Sequence, residues 1–142
     1  MGKVAAALGL GSSLTYKDKV YNISPWTYRI QGEFEKYLER TMMETYKLMA
    51  PYMSEQERKE ELGKIRKEIV SGEYTFGSDT VAKALGSLPH LTYLLYLMMR
   101  VNHPEITVDL AGEIVQAQMG EVMDKMAEAN ADPSTTTQVV KE

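Results

Sequence analysis

The sequence contains no cysteine, which excludes disulfide bonds and thiolate chemistry. It has only two histidines, His90 and His103, and each stands beside a proline at the end of a predicted helix. No HExxH pattern or other metal-ligand spacing occurs. Nucleophilic catalysis would require a serine or threonine held beside a base, and no such arrangement is visible. We therefore expect no catalytic residue, no metal and no cofactor.

Long hydrophobic runs are also missing. The longest, LTYLLYLMMRV, covers 11 residues and contains Arg100, whereas a membrane-spanning helix needs about 20 apolar residues. The opening MGKVAAALGLGSS is too short and too weakly apolar for a secretory signal. These features predict a protein with no membrane partner, located in the cytoplasm.

An excess of positive charge is absent as well, because the net charge is −4, and nothing points globally to nucleic acid. The charge is uneven along the chain. Residues 1–101 hold 14 basic and 12 acidic side chains, and residues 102–142 hold 2 basic and 8 acidic ones. The acidic last third is compatible with a basic partner and equally with solvated helix faces.

What the chain does have is an ordinary globular composition, with 142 residues, 44% hydrophobic and 25% charged. This length predicts one domain with a substantial core. We expect residues 1–12 to form a flexible N-terminus and residues 13–129 a single helical domain. Residues 130–142, NADPSTTTQVVKE, are polar and predict a disordered tail.

The N-terminal part of that domain predicts a β-hairpin followed by a long helix. Tyr, Val and Ile recur in 14–16 and 20–23, on either side of Lys-Asp-Lys. Ser24 and Pro25 suit the N-cap and the first helical position. A two-stranded hairpin is only marginally stable alone, so it must pack on this helix or offer an edge to a partner. The residues expected to make that packing are Tyr16, Tyr21 and Ile23, with Trp26 as the joint.

Four further helices complete the prediction. The SEQE pattern from Ser54 is a capping box, and Thr107 is expected to cap the last helix. The helix periods cover about 55–70, 80–85, 90–101 and 107–129. The fold class is therefore mainly α, with about five helices packed in one domain and a short N-terminal β-hairpin. Trp26, Phe34, Leu95 and Leu97 are assigned to the core.

A DNA-binding role is disfavoured by the residues themselves. The stretch TVAKALGSLPHLTYLLYLMMR scans superficially as a helix-turn-helix. A recognition helix must present polar side chains to bases and cations to phosphates. Here the second helix offers Leu, Tyr, Met and the single Arg100, so it is built to be buried.

Methionine is abundant, with ten residues in the chain. Its flexible side chain fills irregular cores and also surfaces that accept varied apolar partners. Met123 and Val115 lie beside the main apolar stripe of the last predicted helix and widen its apolar face, so part of that face is a candidate partner-binding groove. Its residues are Leu110, Ile114, Met119, Met123 and Met126.

The pattern resembles that of the tail assembly chaperones of tailed bacteriophages. The hairpin segment LTYKDKVYNIS, followed by a Pro-started helix with FEKYLE, is similar to the opening of those proteins. The block GEYTFGSDTVAKALGSLPHLTYLLYLMMRVNHPEITVDLAGEIV is similar as well. In the family an apolar helix ending in Leu-Arg or Met-Arg precedes a turn of the type seen here from Met99 to Thr107. The resemblance covers roughly residues 13–125 and assigns no contact residues.

The resemblance implies a non-enzymatic protein of the host cytoplasm that acts during virion morphogenesis. Such chaperones bind the long, helical, aggregation-prone tape measure protein and help recruit tail tube subunits around it. Many are absent from the finished particle, and many exist in a short form and a form extended by frameshifting. Such a chaperone is expected to be monomeric or weakly associated, and the sequence leaves a homo-oligomer open.

A structural virion component is the alternative that the sequence leaves open. A head–tail connector or tail-completion protein would use the hairpin to pair with neighbouring subunits and would form a stable ring. It would be present in purified particles, whereas a chaperone would be absent from them. A third hypothesis, a host-directed regulator, predicts salt-sensitive retention on DNA.

Overall fold

The computed structural model describes residues 11–130 of the chain. An antiparallel two-stranded hairpin precedes five α-helices, which confirms the predicted fold class for this part. Apart from Gly11, Ser12 and Asn130, the predicted flexible N-terminus (1–12) and disordered tail (130–142) lie outside the described residues. The elements are β1 (Ser12–Tyr16), β2 (Lys19–Ile23), α1 (Tyr28–Met49), a 3-10 turn (Ala50–Tyr52), α2 (Glu55–Val70), α3 (Asp79–Ala84), α4 (Leu88–Arg100) and α5 (Val108–Ala129).

The described chain divides into two compact units. The hairpin unit comprises residues 11–30 and 88–130, so it draws on both ends of the described segment. The middle unit is Gln31–Ser87, which includes most of α1 together with α2 and α3. The single-domain organisation of 13–129 stays a prediction.

The hairpin closes through a two-residue turn at Lys17 and Asp18. Both have positive φ, 49° and 63°, as a type I′ turn requires, and its twist matches that of the flanking strands. Asp accepts the left-handed region more readily than most residues, which explains a tight turn without glycine. Tyr16 pairs with Lys19 across this turn. Successive side chains of a strand point to opposite faces, so every second residue of β1 and β2 faces the interior.

The hairpin packs on the last two helices. Helix α5 contacts both strands and α4 contacts β2, whereas the sequence predicted α1 as the support. Helix α4 explains this packing. Its surface is apolar nearly all round, so several of its sides must be buried against other elements. The fully buried side chains of this unit include Leu14, Ile23, Leu94, Leu95, Leu97, Met98, Met99, Ile114 and Val115.

Helix α1 begins later than predicted, because Ser24 and Pro25 do not start it. The Trp26 backbone N–H, which a Ser24 cap would bind, donates instead to the Asn130 side-chain oxygen. The helix starts at Tyr28, and the Thr27 hydroxyl accepts from the Ile30 N–H at 3.3 Å. A long-range contact therefore decides between two good capping candidates.

Trp26 is half-buried rather than a full core residue. Its indole N–H donates to the Met98 sulfur at 3.1 Å, which meets the need of a buried indole for a polar partner. Its backbone N–H donates to the Asn130 side-chain oxygen at 2.6 Å. Asn130 in turn donates to the Met126 carbonyl. The residue is a joint, as predicted, but one that links the segment before α1 to α4 and the end of α5.

The predicted caps Ser54 of α2 and Thr107 of α5 are confirmed, and Ser78 caps α3. The Ser54 hydroxyl accepts from the Glu57 N–H at 3.1 Å, and the Glu57 carboxylate accepts from the Ser54 N–H at 3.1 Å. Ser78 and Thr107 cap α3 and α5 in the same way. These caps satisfy backbone donors that no helix can satisfy internally.

Helix α5 is interrupted at Gln118, whose φ and ψ are −138° and 42°. The sequence predicted one continuous helix. The Gln118 side-chain amide donates to the Thr15 carbonyl of β1 at 3.0 Å and to Glu121 at 3.1 Å. The interruption therefore coincides with a direct contact between the helix and the hairpin.

The middle unit has its own buried residues, among them Phe34, Leu38, Ile65, Tyr74 and Val81. The Phe34 ring contacts Tyr37 and Phe76, at centroid distances of 5.7 and 5.9 Å. The backbone N–H of Phe76 donates to the Glu35 carboxylate at 2.6 Å, which ties the loop before α3 to α1. Phe34, Leu95 and Leu97 are thus buried as the sequence predicted.

Candidate functional site

One outward-pointing backbone group on each outer edge of the hairpin is bonded within the chain. On β2, the Asn22 N–H donates to His103 Nε2 at 2.9 Å. On β1, the Thr15 carbonyl accepts from Gln118. An added strand needs such outward-pointing groups. These two contacts occupy part of each edge, and the pairing of the hairpin edge with a partner strand stays a prediction.

Replacing His103 should show how strongly the β2 edge is held. His103→Leu is expected to lower the free energy of unfolding by about 1 kcal/mol, because it removes the acceptor for Asn22. His103→Gln keeps an acceptor of similar reach and is the matched control. Urea unfolding followed by Trp26 emission measures both. Equal losses in the two variants would show that ring packing against Tyr21 (5.2 Å between centroids) is the larger contribution.

The residues predicted as a groove on the last helix do not share one surface. Ile114 and Met126 are buried, and Leu110 is half-buried. Met119 and Met123 are 38% and 52% exposed. Only these two of the five present much of their side chains to a partner, and the groove they would form stays a prediction.

A second methionine-rich surface lies in the middle unit and is a better-formed site. We call it the Met cleft, a cavity of about 140 Å³ between α1 and α2. Its lining combines three methionines with one aliphatic, one aromatic, one hydroxyl and one acidic side chain. These residues are Met42, Met49, Met53, Ile65, Tyr46, Thr45 and Glu61.

The sequence explains why this cleft stays open. Helix α2 is densely charged and has only a narrow apolar edge, in which Ile65 is the one buried residue. Glu61 precedes Ile65 by one helical turn on the same face, so a carboxylate stands where a second core side chain would close the gap. The Arg58 guanidinium donates to the Ala50 carbonyl at 3.1 Å, which ties the start of α2 to the 3-10 turn.

Apolar side chains continue beyond the cleft along the end of α1. Met49 is 55% exposed and lines the cleft, while Leu48 and Tyr52 beside it are still more exposed. The sequence signal was the Met42, Met43, Met49, Met53 cluster. Sequence reasoning placed the binding face on the last helix instead, because periodicity cannot say which apolar stripe a neighbour covers.

Glu57, Tyr74 and His90 have shifted pKa values, and none of these three residues lines the Met cleft. Hydrogen bonds from the Ser54 backbone and hydroxyl lower the pKa of Glu57, which favours the charged form at a helix N-terminus. Burial, and then the hydrogen bond to Glu68, raises the pKa of Tyr74, so its hydroxyl stays protonated and donates at 2.7 Å. Burial lowers the pKa of His90.

The described residues contain no group of three or more acidic or histidine side chains placed to hold a metal ion. Among the helices of residues 11–130, none is long and apolar enough to cross a membrane. Comparison with known proteins adds no assignment, since no family model, curated protein or solved structure matches the chain. Within residues 11–130, we take the Met cleft as the candidate binding site, because apolar side chains of two helices line it.

Proposed function

We propose that this protein is a tail assembly chaperone of a tailed bacteriophage. It binds helical segments of the tape measure protein in the host cytoplasm and helps recruit tail tube subunits. The sequence pattern of residues 13–125 supports the family, and the Met cleft is the observation that carries the binding role. The cleft supplies an open apolar surface with adaptable side chains.

The chemistry of the cleft suits a client with many different helical segments. Methionine is unbranched and polarizable, so one surface can repack around apolar side chains of different shape. The charged remainder of α2 keeps the surrounding surface hydrated. A chaperone of this kind covers the apolar stripe of an amphipathic helix until the helix reaches its place in the tail.

Co-expression with the longest coiled-coil-like protein encoded downstream tests the proposal. The partner is expected to become soluble and to co-purify. Met49→Asp should reduce the recovered partner about tenfold, because a carboxylate at the cleft would be buried against apolar surface. Val70→Asp is the matched control: it adds the same charge at another exposed apolar residue of the middle unit, outside the cleft lining.

Two other results would point elsewhere. Loss of the partner in Met119→Asp with Met123→Asp, but not in Met49→Asp, would move the binding face to α5 as first predicted from the sequence. A partner that stays insoluble, with this protein eluting as a defined ring and present in purified particles, would replace the chaperone by a structural virion component.

A further inference from the structure

We infer that the Met cleft accepts one large apolar side chain of a partner α-helix, and that Glu61 pairs with a Lys or Arg about one turn away on that helix. This inference rests on the proposed function and specifies the client motif. It makes the site selective for amphipathic helices with a basic flank, rather than for any apolar surface.

The volume of the cleft sets the size of what enters it. A cavity of roughly 150 Å³ lined by apolar side chains holds one benzene-sized group, and the Met cleft measures about 140 Å³. One Leu, Met or Phe side chain fits this space, whereas two do not. The exposed Met49, Leu48 and Tyr52 then provide apolar surface along which the rest of a helix can lie.

Glu61 determines the charge of the occupant. Its carboxylate is half-buried and lines the cleft, and it forms no hydrogen bond or ion pair with any other residue in 11–130. Arg58, one turn earlier on α2, is already bonded to the Ala50 carbonyl. A partner that covers the cleft would remove water from this carboxylate, which is costly unless the partner brings a cation.

The two requirements together define a helical motif. On one helix, residues three or four positions apart lie roughly 5–6 Å from each other on the same face. An apolar side chain in the cleft and a basic side chain one turn away therefore reach Ile65 and Glu61, which are themselves one turn apart on α2. A purely apolar or acid-flanked helix would leave the carboxylate uncompensated.

Two synthetic helical peptides of about 20 residues test this, since shorter peptides are marginally helical. Both carry the same stripe of Leu residues, flanked by Lys in one peptide and by Glu in the other. Binding to the full-length protein is measured by fluorescence anisotropy at fixed ionic strength. The Lys-flanked peptide should bind about tenfold more tightly than the Glu-flanked one.

The decisive comparison is Glu61→Lys against Glu60→Lys, which change the net charge equally. Glu60 lies on the same helix, is exposed and is absent from the cleft lining. Glu61→Lys should invert the preference between the peptides, and Glu60→Lys should leave it in place. Equal behaviour of the two variants would overturn the inference, because the preference would then come from overall charge.

Further outcomes separate this inference from the proposed function. A protein that is a dimer on its own, and a monomer as Met49→Asp, would assign the cleft to a second copy and overturn the inference. Co-purification of the tape measure protein without any charge inversion leaves the chaperone role intact and removes the motif. Charge inversion with the peptides, without co-purification, supports the motif and removes the tail assembly role.

Discussion

Gly11→Ala is expected to lower the free energy of unfolding of the hairpin unit by about 2–5 kcal/mol. A Cβ added at Gly11 would lie 2.1 Å from the Ile23 carbonyl oxygen, a backbone atom held in the hairpin, and 3.2 Å from the Pro25 ring. The residue also has a φ of +96°, which costs other L-residues about 1–2 kcal/mol. Overpacking of the backbone contact adds roughly 1–3 kcal/mol.

Trp26 gives the measurement for this variant. It is the only tryptophan of the chain and belongs to the hairpin unit, so its emission in urea follows the unfolding of that unit. Gly77→Ala is the control for backbone strain alone, because Gly77 has the same φ of +96° with nothing within 4 Å of the added Cβ. We expect it to cost only about 1–2 kcal/mol by circular dichroism. A similar loss of unfolding free energy in Gly11→Ala and Gly77→Ala would mean that the Ile23 carbonyl moves away from the added methyl group without reducing stability.

Phe34→Ala is expected to destabilise the middle unit by about 3–5 kcal/mol, the usual range for a buried aromatic reduced to Ala. Phe34 is completely buried, and its ring contacts Tyr37 on the same helix and Phe76 in the loop before α3. Replacing the Phe34 ring with a methyl group leaves a cavity and removes both aromatic contacts. Hydrogen exchange of the amides in 31–87 measures the effect, which should be greatest in α1 and around Phe76.

The control for this prediction is Phe34→Leu, which keeps most of the apolar volume and should cost much less. A loss as large as that of Phe34→Ala would show that the aromatic contacts, rather than the filled volume, stabilise the unit. Unchanged exchange in Phe34→Ala would contradict the assignment of Phe34 as the centre of this core.

Interactions between residues close in the sequence were sufficient to predict most of the fold. Ser54, Ser78 and Thr107 start helices because their hydroxyls satisfy neighbouring N–H groups, an interaction contained within four residues. The start of α1 could not be predicted in this way. Ser24 is as good a cap as Thr27 by residue type, and it is the distant Asn130 side chain that binds the Trp26 N–H that a Ser24 cap would need.

The candidate site shows the same division between local and distant causes. The sequence marks both the 42–53 segment and the last helix as rich in methionine. Which of the two stays open depends on what covers it. Helix α5 turns Ile114 and Met126 inward, while α2 brings Glu61 against the 42–53 segment in place of an apolar residue. Amphipathic periodicity alone contains no information about these neighbours.

The arrangement of the hairpin unit has a consequence for synthesis on the ribosome. Its hydrogen bond between Trp26 and Asn130 joins residues 104 positions apart, and its strands pack on α4 and α5, which are translated after the middle unit. The whole middle unit therefore leaves the exit tunnel before these helices do. The nascent hairpin waits, with its apolar face uncovered, until α4 and α5 have emerged. Slow translation of 31–87 lengthens the interval in which the nascent chain is prone to aggregate.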